Sequence, residues 1–203
     1  HLVRLATYDL TAYASLDTIT RNNLELLRTL RQGRREGSLC ETLDRTLTAM
    51  GSRLLRRWLL QPLLDIDAIR YRQDGIEELF ENPLLRSNLR QALDGLYDME
   101  RVVGRIGFGN ANARDLVALQ HTLERIPIIR SLLTDTESLN SCNLLHVLES
   151  DILPQLAELI AHAIVQDPPI LLREGGLIRS GYDQELEQLR SRAQKGRDWL
   201  AEL

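Results

Sequence analysis

The sequence predicts a mainly α-helical protein: a multi-helix core with one small β-hairpin and a long C-terminal helix. Three observations carry this. Capping residues and prolines punctuate the chain at helix-length intervals, and the apolar residues between them recur three and four positions apart. Aromatic residues make up only 4% of a 43% hydrophobic chain, so the core is expected to be Leu, Ile, Val and Ala. From Tyr182 onward the apolar positions Leu186, Leu189, Ala193, Gly196, Leu200 and Leu203 alternate by four and three, a heptad seam.

In order, His1 to Tyr13 alternates loosely and reads as an extended segment. Asp17 or Thr18 caps a helix over Ile19 to Leu30, and Gly33 to Gly37 is a solvated loop. Ser38 and Glu41 form an S-x-x-E capping box that opens a short helix bearing Leu39, Cys40 and Leu43. Thr48 caps the next, with Met50, Leu54, Leu55, Trp58 and Leu59 on one side and Arg53, Arg56 and Arg57 on the other. Pro62 ends it. The apolar load around Trp58 predicts that the other helices gather there.

Asp65 or Asp67 starts a helix carrying Ile66, Ile69, Ile76, Leu79 and Phe80. Asn82-Pro83 is a stop and a restart, and that next helix runs to Leu93 and ends near Gly95. Another starts at Asp98 and fails in the Gly107-Phe108-Gly109 turn. Asn112 opens a helix with Leu116, Leu119, Leu123 and Ile126, which Pro127 breaks or restarts. Thr134 to Ser141 is a polar loop. Leu144, Leu148, Ile152, Leu156, Leu159 and Ala163 mark a helical pair, with Pro154 opening its second half. Gly175-Gly176 between Ile170-Leu171-Leu172 and Leu177-Ile178 is the hairpin signal. At ~1.5 Å per residue, the last helix from Tyr182 to Leu203 extends about 33 Å. No stop residue follows it, which reads as a truncation in mid-seam.

Several chemistries find no support. The single lysine, Lys195, is preceded by Gln194 and followed by Gly196, which excludes a G-x-x-x-x-G-K-[ST] phosphate loop here. H-E-x-x-H, C-x-x-C and G-x-S-x-G are absent, and His121, His146 and His162 are scattered. Two distant cysteines, Cys40 and Cys142, fit a reducing compartment. No signal peptide is visible, and no apolar run approaches the ~18 residues of a membrane span. A net charge of −4 argues against a wholesale nucleic-acid coat. Asp98, Glu100, Arg101, Arg105, Arg114 and Asp115 surround one helix–turn–helix junction. They are either a scattered, solvated set or a partly buried ion-pair network that fixes the angle between two helices. Arg53, Arg56 and Arg57 read as a solvated face or a contact to another domain, ahead of a phosphate-binding strip.

The run GSLCETLDRTLTAMGSRLLRRWLLQPLLD, Gly37 to Asp65, resembles the core block of the bacterial MutS mismatch-repair family. LDTITRNNLELL (Leu16 to Leu27), DMERVVGRI (Asp98 to Ile106), RDLVAL (Arg114 to Leu119), DPP (Asp167 to Pro169) and EGGLIRSGYDQELEQLR (Glu174 to Arg190) agree in collinear order. Met99 and Cys40 stand where the family often has Leu, swaps that an apolar site tolerates.

The resemblance implies a non-catalytic piece of a larger protein: residues 1–180 as the core, or lever base, and 181–203 as a lever helix leading toward a clamp. Lys195 and Arg197 would then lie near the DNA backbone. In the family, ATP and Mg are bound elsewhere, and this piece holds no cofactor. The full-length protein is a DNA-dependent ATPase that binds mismatched double-stranded DNA, recruits MutL and acts as a homodimer in the cytoplasm at the nucleoid. The Phe-x-Glu mismatch-reading motif is absent from these residues. A different-class reading is a helical adaptor that binds a partner helix through the exposed seam.

Overall fold

The computed structural model describes residues 12–134 and 154–201. Nine α-helices lie in this part: α1 Thr18–Asn23, α2 Leu39–Leu43, α3 Ala49–Leu60, α4 Ile66–Glu81, α5 Pro83–Leu93, α6 Met99–Gly107, α7 Ala113–Thr134, α8 Pro154–Ala163 and α9 Gln184–Ala201. The chain divides into two compact units. One takes the described residues through Asp98 and again from Pro127 to Thr134; the other takes Met99–Ile126 and the described residues from Pro154. Most of the extended segment expected from His1 to Tyr13, the polar loop expected from Thr134 to Ser141 beyond its first residue, the helical positions Leu144, Leu148 and Ile152, and the seam position Leu203 lie outside the described residues.

Local chemistry sets most boundaries. Asp17 accepts from the Thr20 amide at 2.6 Å, Ser38 from Glu41 at 3.2 Å, and Thr48 from Gly51 at 3.0 Å. Asp65 accepts from Asp67 at 2.8 Å. Each side chain satisfies an amide that the first helical turn leaves without a partner. The Ser38 amide donates to the Arg35 carbonyl. At the α5 start Pro83 supplies the fixed φ, and Asn82 makes no side-chain cap bond. Gly51 is required by close approach: a Cβ there would lie 3.1 Å from Thr48 Oγ1 and 3.3 Å from Thr46 Cβ.

In the first unit, Leu85 and Leu89 of α5 pack with Leu133 at the end of α7, and Leu79, Ile129 and Leu132 lie against them. Arg86 ties α5 to the end of α4 by donating to the Leu79 carbonyl at 2.8 Å. Ser38 and Cys40 are the deepest residues near α2, where the Leu39 and Cys40 amides donate to the carbonyls of Glu25 and Leu26. Ala12 and Ala14 pair with Leu64 and Pro62 through backbone bonds. In the second unit, Val102 of α6, Ala113, Val117, Leu119 and Leu123 of α7, and Ala157 and Ile160 of α8 form the larger core. At about 25 cal/mol per Å² of apolar surface, such aliphatic burial is the main stabilising term.

Four expectations are corrected. The helix predicted over Ile19 to Leu30 stops at Asn23, because Glu25 adopts φ 48° and its carboxylate accepts from the Leu30 amide at 2.6 Å. Trp58 is not a buried hub. It is 38% exposed, α3 has no fully buried residue, and the Arg72 guanidinium covers one face of the indole at 3.9 Å. Pro127 does not break α7, which continues through it to Thr134. Proline costs the helix one backbone bond, and the helical hydrogen bonds on either side of it persist.

The fourth correction is the β-hairpin. Among the described residues there is no strand. Leu172–Glu174 is a short 3₁₀ turn, and Gly175, at φ 72° and ψ −169°, lacks the dihedrals of a tight hairpin turn. Leu177 to Arg179 instead pairs with the end of α8: Val165 donates to Leu177 at 3.0 Å and Arg179 to Ala163 at 2.8 Å. The apolar residues flanking the glycines therefore have different neighbours, and Leu172 stays 67% exposed.

Candidate functional site

Two places hold the residues singled out from sequence: the corner between α6 and α7, and the far half of α9. At the corner, the α7 start is a reciprocal cap. Asn112 donates its amide to Asp115 Oδ2 at 3.0 Å, and Asp115 donates its amide to Asn112 Oδ1 at 3.0 Å. Asp115 also takes the Arg105 fork, with Nε on Oδ2 at 2.9 Å and Nη2 on Oδ1. Asp115 is buried, while Arg105 keeps part of its side chain in water. The Arg105 hydrogen bonds, followed by the Asn112 amide, hold the Asp115 carboxyl below its ordinary range, against the opposing effect of burial. One carboxylate thus caps α7 and fastens it to α6.

Arg114 turns elsewhere. Its Nε donates to the Pro168 carbonyl at 2.8 Å, and its Nη2 lies 3.8 Å from the exposed Asp167. Asp98 belongs to the other unit, where it takes both nitrogens of Arg53. Glu100 and Arg101 are exposed on α6. The junction residues are therefore distributed over several partners, with Asp115 as the buried carboxylate among them.

The base of α9 is anchored. Asp183 accepts from the Leu186 amide at 2.8 Å, Ser180 donates to Glu187 at 3.0 Å, and Arg190 donates to the Ile178 carbonyl at 2.9 Å. Beyond Arg190 every described residue is exposed, Lys195 and Arg197 included. Leu189, Trp199 and Leu200 are 54%, 63% and 66% exposed. Arg197 reaches back to the Ala193 carbonyl at 3.4 Å.

Sequence reasoning passed over Asp44. It accepts from the Ser52 hydroxyl at 2.6 Å, from the Thr46 hydroxyl at 2.6 Å and from Arg35. The hydroxyls of Ser52 and Thr46 lower its pKa to about 2. The D-x-T spacing of Asp44 and Thr46 was the available signal, since an aspartate accepts readily from the amide two residues on. Arg72 carried no signal, because its partner Trp58 lies on another helix. Among the described residues, no group of three or more His, Cys, Asp and Glu is placed to hold a metal ion, and no helix is long and apolar enough to cross a membrane.

The chain matches known proteins along nearly its whole length. The family model described as MutS domain III matches residues 19–202. A protein of Nostoc punctiforme named DNA mismatch repair protein MutS is 48% identical over 204 residues, covering 100% of this chain and 22% of its own length. Its namesake in Halothermothrix orenii is 45% identical with the same coverage. That of Methanosarcina barkeri is 47% identical over 203 residues, covering 99% of this chain and 23% of its own length. The chain thus spans less than a quarter of these relatives.

Proposed function

The chain belongs to the MutS family of DNA mismatch-repair proteins, as its domain III, and from that premise we propose that it is the non-catalytic lever of the intact protein. Residues 1–180 form the base and 181–203 the arm. ATP is bound with Mg and hydrolysed elsewhere, and nucleotide state repositions the base. The arm converts this into clamp opening or closing on mismatched double-stranded DNA. Recruitment of MutL and homodimer formation belong to the intact protein, in the cytoplasm at the nucleoid.

The observation that carries the reading is the contrast along α9, fastened through Arg190 and wholly solvated beyond it. An arm needs a fixed root and a stiff, free shaft. The root has both: Arg190 holds the Ile178 carbonyl, and Leu186 is partly buried. The shaft presents Leu189 and Leu200 outward, as a helix does when another helix is meant to lie along it. A stiff base of capped helices, with α6 and α7 fastened through Asp115, supplies the counterpart. Rigid elements with two discrete packings are the physical means by which distant sites are coupled. On this reading Lys195 and Arg197, exposed on the shaft, contact a phosphate backbone, and their loss should weaken DNA binding evenly across sequences.

The test is Arg192→Pro in the intact protein. A proline in the helix interior removes a backbone bond and costs about 3 kcal/mol locally. ATP-dependent release of mismatched DNA should slow or fail while ATP binding persists. Release at the normal rate would sink the lever.

A further inference from the structure

One face of α4 is taken up within its own unit: Leu79 packs against the Leu85 and Leu89 core, and Arg72 lies over Trp58. Beside that face runs a second apolar line. Ile66, Ile69, Gln73, Ile76 and Phe80 recur at intervals of three, four, three and four, a heptad seam of two repeats. Ile66, Ile76 and Phe80 are 64%, 63% and 76% exposed, and Ile69 is only partly covered. Arg70 and Glu77, both exposed, border the seam along one edge.

This period specifies its complement. Side chains spaced alternately by three and four form a strip along the helix, and a second helix laid alongside fills it knob into hole. A strand, whose side chains repeat every two residues, does not match that period. Gln73 is the one polar residue in the strip. Covered by a partner, its amide needs a hydrogen bond, so it favours the one register that supplies it.

We propose that the α4 seam is covered by an amphipathic helix from a part of the intact polypeptide outside these 203 residues, with a polar side chain facing Gln73, a Lys or Arg beside Glu77 and an Asp or Glu beside Arg70. Length decides between the same chain and a separate one. From Ile66 to Phe80 the seam runs about 21 Å. Its two repeats fall short of the roughly three to four that a free-standing coiled coil sustains. A helix tethered to the same chain meets α4 at an effective concentration on the order of millimolar, which makes a short seam sufficient. The source is at hand, since this region is only 22% of the length of relatives. A second copy fits less well. In parallel register its Glu77 needs Arg72, which already covers Trp58. Laid antiparallel, it sets the two Arg72 side chains next to each other. This inference needs the family membership and not the movement of the lever, since it concerns which surface is covered.

The experiment uses the intact protein with a benzophenone amino acid in place of Glu77. Irradiation should yield one dominant cross-link within the same polypeptide. Its target should be a peptide outside residues 1–203 whose apolar residues alternate by three and four around one polar position. Adding Ile76→Ser/Phe80→Ser should lower the cross-link yield at least about tenfold. In the protein without the probe, the same pair should lower the first melting transition by about 3 °C. Both side chains are exposed within this unit, so the double variant should keep its circular-dichroism spectrum. Cross-links confined to residues 1–203 or joining two copies overturn the proposal. So does a target peptide without the three-and-four period, or an unchanged melt.

Discussion

Arg53 holds Asp98 with both terminal nitrogens, at 2.7 and 2.6 Å, across 45 positions of sequence. The fork is partly sheltered, with 17% of the Asp98 side chain exposed, and it fixes α3 to the residue that precedes α6. Arg53→Lys keeps the charge and loses the planar, two-point grip. It should cost about 1 kcal/mol in urea unfolding, and Arg53→Gln about twice that. Equal stability of Arg53→Lys and wild type would show that only charge matters.

Asp115 does two jobs, so its removal should cost more than a cap alone. Asp115→Ala is expected to lose about 2–3 kcal/mol, from the cap and from the charge-assisted bonds to Arg105. In a double-mutant cycle with Arg105→Ala, the two losses should fall short of additive by at least about 0.5 kcal/mol. Strict additivity would mean that the fork contributes nothing to the corner.

The acid limb of stability should bear the mark of Asp44. Its folded pKa, about 2, lies below the ordinary 3.8, so the unfolded chain takes up the proton first as pH falls. The stabilisation is full above pH 3.8 and is lost as pH falls through about 2. Asp44→Asn should therefore be least stable relative to wild type at neutral pH, with the gap narrowing between about pH 4 and 2. A gap independent of pH would assign the Asp44 effect to packing.

Apolar residues should separate sharply by location. Leu123, 8% exposed in the α7–α8 core, is expected to cost about 2–5 kcal/mol on change to Ala. Leu200, 66% exposed on α9, should change the stability of these 203 residues by less than about 0.5 kcal/mol when replaced by Gln. Thermal melts of the two variants decide this, and a large loss at Leu200 would mean that the helix is covered by its own chain.

Helix starts were legible because their causes are local. Ser38, Thr48 and Asp65 each satisfy an amide two or three residues away, so the sequence window contains the whole interaction. What failed depended on distant partners or on backbone freedom. Glu25 ends α1 with a dihedral that no side-chain preference announces. The Gly175-Gly176 pair signals a turn but not which segment Ile178 will join, and it joins the end of α8. The apolar load around Trp58 predicts a centre, yet a neighbouring arginine is enough to cover one face of the indole. At the junction, the residues were legible and the pairing was not. Asp98 and Asp115 look equivalent in sequence, and the fold gives them different arginines.

The solvated run beyond Arg190 has a practical corollary for anyone handling this polypeptide. A protease needs to unwind a short stretch to cut it, and a helix end without packing opens at little expense. Arg192, Lys195 and Arg197 all fall there, so brief trypsin treatment should trim this tail in steps before it nicks α7. In the intact protein, shielding of those same bonds would report directly on when α9 acquires a neighbour.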